Sequence, residues 1–240
     1  RHVSDAFQED PLRVLRGLRF VSQLAEYGFT LADTTQTLMA SMAERLTELS
    51  PERVVTEMDR TLHAADPRAG LRWLGPLGIG PVLAPALQQI PQTFKAQTVE
   101  GRWIEWALCN ATTEACIKAM TTRYKTSAFR RQALMAALRV SSVQTLDADT
   151  MLAAMQHLGW LRGNEPDADL DATLTDADQA GLFPIPIARW FSARTRVREI
   201  TAAHPAVAGL SGAALGDAIY SERLKVLCTE ISAPGTAPGL

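Results

Sequence analysis

The chain has few of the residues that staple or metallate a small protein. Its 240 residues include three cysteines, Cys109, Cys116 and Cys228, an odd and unpatterned set. They read as reduced core thiols in a cytosolic protein, not as a disulfide framework. The four histidines, His2, His63, His157 and His204, lack metal-ligand spacing, so no metal site is expected. No apolar run is long enough to cross a bilayer, because Pro, Arg or Asp interrupts each one. No secretory leader is expected, and the expected location is the cytoplasm. Period-2 alternation is weak throughout, which argues against a sheet. No repeat of 20–50 residues stands out. With 47% hydrophobic and 21% charged residues and a formal net charge of −2, the composition is that of a globular protein of one or two domains.

What remains is helical. Apolar spacing predicts helices over about 11–27, 31–46, 51–64, 67–75, 78–88, 101–121, 127–140, 148–159, 186–202, 211–217 and 220–231. Breakers fall between them at Gly28, Ser50-Pro51, Asp66-Pro67, Pro91 and Gly163-Asn164-Glu165-Pro166. The Pro/Gly-rich 233–240 is expected to be a disordered tail. Trp73, Trp103, Trp106 and Trp160 read as buried packing residues. Charge is unevenly spread. Lys118, Arg123, Lys125, Arg130, Arg131 and Arg139 form one basic stretch, and Arg189, Arg194, Arg196 and Arg198 form another, with Trp190 and Phe191 interleaved. An acidic stretch from Asp147 to Asp178 lies between them. Basic helices of this kind are either solvated faces or surfaces for a phosphate backbone.

The first predicted helix carries the most chemistry. Asp10 is a favoured N-cap, Pro11 suits the first helical position, and Leu12, Leu15 and Leu18 set the apolar period. Asp10 and Arg13 are surface neighbours three residues apart, and Arg16 and Arg19 continue the ridge. Taken alone, this is a capping Asp beside a solvated Arg row. A carboxylate and a guanidinium held side by side have a second use. One only accepts hydrogen bonds and the other only donates them. Together they match the amino donor and ring-nitrogen acceptor that cytosine and adenine both present. Uracil and guanine offer the reverse order and would leave buried groups mispaired, which costs more than a lost contact.

The segment Phe7-Gln8-Glu9-Asp10-Pro11-Leu12-Arg13-Val14-Leu15-Arg16-Gly17-Leu18-Arg19-Phe20 resembles the start of the neck domain in class II tRNA nucleotidyltransferases, the CCA-adding enzymes and their poly(A) polymerase relatives. The pattern Glu-Asp-x-x-Arg carries it. The likeness continues through Gly28-Phe29-Thr30 and Ala32-Asp33-Thr34-Thr35, through Ser50-Pro51-Glu52-Arg53-Val54-Val55-Thr56-Glu57, and from Asp66-Pro67-Arg68 to about Pro85. The resemblance implies an all-α, elongated neck, body and tail array. It gives a neck over 1–88, a helical body with degenerate phosphohydrolase-like character over 89–200, tail helices over 201–232 and a loose end over 233–240.

It also implies roles. Asp10 and Arg13 select the incoming base, Arg16 and Arg19 shape the nucleotide pocket, and Glu9, Arg53 and Glu57 support them from behind. Arg53 and Glu57 also read as an i,i+4 pair. Arg123, Lys125, Arg130, Arg131, Arg194, Arg196 and Arg198 become the tRNA contacts. The partners implied are tRNA, CTP and ATP, without membrane or DNA. Three reaction outcomes fit the motif: CCA addition, poly(A) synthesis, or addition of CC or A alone. A non-catalytic helical RNA-binding module is a different class that also fits.

Two departures qualify the resemblance. Where relatives carry a metal-binding Leu-Cys-His-Asp stretch, this chain reads Leu108-Cys109-Asn110-Ala111, so phosphohydrolase activity is not expected. Nucleotidyl transfer also needs carboxylates for Mg²⁺, which the family supplies as Asp-x-Asp in a β-containing head. Asp167, Asp169 and Asp171 have that spacing, but no Gly-rich turn precedes them. The expectation is a chain read from Arg1 without its N-terminal head, inactive alone, its parent binding Mg²⁺ through that head.

Overall fold

The computed structural model describes residues 9–110, 112–162 and 167–232. The segment before Glu9, Ala111, the 163–166 breaker and the 233–240 tail therefore lie outside the described residues. Among those described, every regular element is helical and no strand occurs. The helices are α1 (Leu12–Gln23), α2 (Asp33–Ser41), α3 (Pro51–Leu62), α4 (Pro67–Leu71), α5 (Ile79–Leu83), α6 (Val99–Cys109), α7 (Glu114–Arg123), α8 (Ala128–Ser142), α9 (Ala148–His157), α10 (Ala168–Gln179), α11 (Ile187–Arg198) and α12 (Gly212–Ser232). Short 3-10 turns follow α1, α2 and α11.

Local chemistry sets most boundaries. Asp66 accepts a hydrogen bond from the Ala69 N–H and starts α4 before Pro67. Gly28 ends the first helical segment at φ 70°, a left-handed angle that a residue without Cβ adopts freely. The expected 101–121 helix is two helices. Thr113 accepts from the Cys116 N–H and opens α7, so the turn after Cys109 breaks the register. That break corrects the reading of the thiols. Cys109 and Cys228 are exposed and Cys116 is half-buried, so none belongs to the core.

The stretch between the helices expected at 148–159 and 186–202 contains α10. Asp167 caps it through the Leu170 N–H, and Asp169 and Asp171 sit in the first turn, where the helix dipole favours negative charge. Leu170, Leu174 and Ala177 give the buried side its period. The two predicted tail helices are one, α12.

The chain divides into two compact units, residues 1–138 and 139–240. The expected boundaries near 88 and 200 fall inside these units. Near 88 the reason is that α6 packs on α3. Its Trp103 donates to Asp59 at 2.7 Å, and its Arg102 donates to the Ala64 carbonyl at 3.0 Å.

In the first unit α1 packs on α3 and α4. Val14, Leu15, Leu18, Leu62, Leu71 and Ile79 form its core. A Cβ on Gly70 would lie 2.1 Å from the Leu18 carbonyl oxygen, so α4 approaches α1 more closely than any other residue allows. Ser22, fully buried, bridges the contact by donating to the Pro67 carbonyl and accepting from the Gly70 N–H. In the second unit α12 packs on α9 and α11. Trp160 meets Trp190 edge-on at 6.2 Å. The four tryptophans are packing residues as expected, with Trp73 only half-buried.

Candidate nucleotide-selecting face

Asp10 stands at the N-terminus of α1 with both carboxylate oxygens engaged. Oδ1 accepts from the Leu12 N–H at 3.0 Å, and Oδ2 accepts from Arg53 at 2.7 Å. Partial burial pushes the Asp10 carboxyl upward. The Leu12 N–H, the Arg53 guanidinium and, more weakly, Arg13 outweigh it and hold the group below the ordinary carboxylate value. Arg13 is thus near enough to act on Asp10, yet it is exposed and makes no hydrogen bond or ion pair with the described residues. Arg16 is likewise exposed and unpaired among them.

Arg19 differs from its expected place. It is buried, donates from Nε to Glu57 at 2.8 Å and from Nη1 to Gln23 at 2.7 Å, and lies 4.2 Å over the Phe20 ring. A side chain so enclosed cannot reach into an open nucleotide pocket; it belongs to the helix interface. The expected Arg53–Glu57 pair within α3 is also absent. Both side chains turn to α1, Arg53 to Asp10 and Glu57 to Arg19, while Arg60 takes the other Glu57 oxygen at 3.0 Å. Glu9 is exposed and bonds neither Arg13 nor another described arginine. The structure therefore brings Asp10, Arg13 and Arg53 together and leaves Glu9 aside. Arg53 approaches Asp10 from 43 residues away, a contact that no spacing rule within one helix could find.

The basic stretches divide in the same manner. Arg130 is buried and holds Asp59 at 3.0 Å and Glu100 at 2.8 Å, with Trp103 beside it. Burial disfavours its charge, but Glu100 and Asp59 more than compensate and raise its pKa. Arg194 is buried too; it forms a two-point pair with Asp171 and packs over Phe191 and Trp160. Buried ion pairs hold helices together, so these two depart from the expected surface role. Arg123 donates to the Val82 carbonyl and Lys125 pairs with Glu52, both at the surface. Arg196 sits 3.6 Å from Glu230, and Arg198 is half-buried. Arg131 is exposed beside Lys118 on an open groove between α7 and α8.

Asn110 and the Asp167–Asp171 run are tied to the fold. Asn110 accepts from the Gln89 N–H and donates to the Gln89 and Trp106 carbonyls, closing the loop onto α6. Asp167 caps α10 and Asp171 is spent on Arg194. No group of three or more His, Cys, Asp or Glu able to hold a metal ion occurs among the described residues.

Residues 28–90 match a family model described as "Probable RNA and SrmB- binding site of polymerase A". A CCA-adding enzyme of Pseudomonas putida strain W619 is 31% identical across 95% of this chain. The chain is similar to CCA-adding enzymes along nearly its whole length. It spans 65% of that relative's length. A Multifunctional CCA protein of Pseudoalteromonas atlantica is 53% identical over 70 residues, 28% of this chain and 17% of its own. A solved CCA-adding enzyme in an apo form covers 94% of this chain and 59% of its own, at 16% identity and a TM-score of 0.48. In this chain α1, with Asp10, Arg13 and Arg16, lies just before the 28–90 match.

Proposed function

We propose that this chain is the base-selecting and RNA-holding part of a tRNA nucleotidyltransferase that adds C, C and A to tRNA 3′ ends from CTP and ATP. One observation carries the reading: a carboxylate fixed in place stands beside a free guanidinium. Leu12 and Arg53 immobilise Asp10, yet each of its oxygens keeps a further lone pair for a base amino group. Arg13, one turn on and without a partner among the described residues, is available to donate to the ring nitrogen. Arg53 is then the positioning residue, and Arg16, exposed and without a partner among the described residues, is available to a phosphate. Glu57 acts further back, holding Arg19 and through it the packing of α1.

Magnesium chemistry is implied by the reaction, but the acids of this chain do not fit it. Its Asp-x-Asp runs are committed to the fold: Asp147 and Asp167 cap helices, Asp171 holds the buried Arg194 and Asp178 accepts from the Ile187 N–H. The carboxylates for transfer belong, in this reading, to a head domain outside these 240 residues.

The family model's description, which names polymerase A, favours a second outcome in which the same face selects only adenine. Nucleotide incorporation into a tRNA lacking its CCA end separates the two. The chain joined to the family's catalytic head is expected to add C, C, A and stop, and the chain alone to add nothing. A run of A instead of C, C, A selects the polymerase reading. Asp10→Ala and Arg13→Ala are expected to lose discrimination against UTP and GTP. Unchanged selectivity in both variants overturns the templating role.

A further inference from the structure

The solvent face of α1 does not end at Arg16. Phe20 is 46% exposed and Tyr27, in the turn that follows, is 70% exposed. Positions 13, 16 and 20 fall on one stripe of α1, and Tyr27 closes the 3-10 turn Ala25–Tyr27 that follows the helix, so two guanidinium groups without a partner among the described residues lead toward two open aromatic rings. Large apolar side chains in a row on a surface are uncommon unless something covers them.

Phe20 is also braced. One side of its ring lies over the Arg19 guanidinium at 4.2 Å, and Arg19 is locked by Glu57 and Gln23. A ring fixed from beneath by a buried, ion-paired cation loses little freedom when a second planar group stacks on its open face.

We propose that Phe20, continued by Tyr27, is a stacking platform for a base in the single-stranded 3′ end of the RNA, with Arg16 pairing the adjoining phosphate. Charge complementarity favours RNA over an apolar protein partner, since the aromatic rings sit at the end of a cationic ridge. Every base has a π-face, so the contact holds the strand without reading its sequence. Phe20 lies about 10 Å along the axis from Arg13, too far to touch the base that Asp10 and Arg13 select. It therefore grips the primer, not the incoming nucleotide. The inference rests on the RNA-holding function proposed above.

The test uses this chain and a single-stranded RNA ending in CCA, with 2-aminopurine near the 3′ end as a stacking reporter. Wild type is expected to bind it with a fluorescence change. Phe20→Leu should weaken binding about 5- to 150-fold, the range that loss of one base–aromatic stack allows. Phe20→Trp should retain binding, and the salt dependence of Phe20→Leu should match wild type because no phosphate contact is lost. Equal affinity for Phe20→Leu and wild type, with Arg16→Ala weakened, overturns the platform and leaves the RNA-holding function standing. Absence of RNA binding by wild type overturns both. Self-association that Phe20→Leu abolishes, with RNA affinity unchanged, overturns the platform in favour of a protein contact. An unchanged thermal midpoint for Phe20→Leu assigns any lost affinity to the surface.

Discussion

Asp10 shows how far one residue's behaviour depends on a neighbour remote in sequence. Its pKa is depressed because Arg53 and the Leu12 N–H favour the charged form more than partial burial disfavours it. A depressed carboxylate adds stability above its unfolded value and loses it as pH falls through the folded value. The Asp10–Arg53 contact should therefore weaken on acidification below the ordinary Asp range. Because the pair is largely exposed, its loss should hardly change global stability. Arg53→Ala is expected to raise the Asp10 pKa toward its ordinary value, read by carboxyl NMR titration, with little change in the denaturation midpoint. An Asp10 pKa that does not move in Arg53→Ala would remove Arg53 from its positioning role.

At the scale of elements, the neck is held by α1 pressed against α3 and α4, and two sites decide that packing. Gly70 has no room for a Cβ, with the Leu18 carbonyl at 2.1 Å and Ser22 Oγ at 2.4 Å. Gly70→Ala should destabilise at or beyond the upper end of the roughly 1–3 kcal/mol typical of overpacking. A denaturant midpoint equal to wild type would show that α4 is free to shift away. Glu57 is the buried anion for Arg19, so Glu57→Ala strands a buried cation and should cost about 3–5 kcal/mol by chemical denaturation. A loss under about 1 kcal/mol would mean that water reaches Arg19.

The legibility of these elements in the sequence followed the range of the forces. The start of α1, one residue past the expected Pro11, the cap at Asp66 and the end of the first helical segment at Gly28 are local, and each was readable to within a residue. The crossed pairs were not, because Arg53 and Glu57 satisfy an i,i+4 rule while bonding to partners 43 and 38 residues away. The α10 helix was hidden for the opposite reason. Its acidic first turn looks like a solvated loop until the Leu170, Leu174 and Ala177 spacing is counted together with the Asp167 cap.

For the whole molecule, the question is which cations remain to meet RNA. A formal net charge of −2 gives no long-range attraction, so any RNA affinity has to come from local clusters. Several arginines that read as surface contacts are consumed by the fold. Arg130 and Arg194 lie in buried ion pairs, and Arg123 donates to a backbone carbonyl. Arg13 and Arg16 make no ion pair with the described residues, and Arg131 lies open beside Lys118. The two kinds of arginine should respond oppositely to alanine substitution. If the α7–α8 groove carries a phosphate, Arg131→Ala should leave the melting temperature unchanged and reduce the slope of log K against log salt by about 0.7–0.9, one contact's worth. Arg130→Ala should instead lose about 3–5 kcal/mol of stability by leaving Asp59 and Glu100 without their cation. Its folded fraction should bind with an unaltered salt slope. A reduced slope in stably folded Arg130→Ala, or none in Arg131→Ala, would reverse this division and move the RNA contact away from the groove.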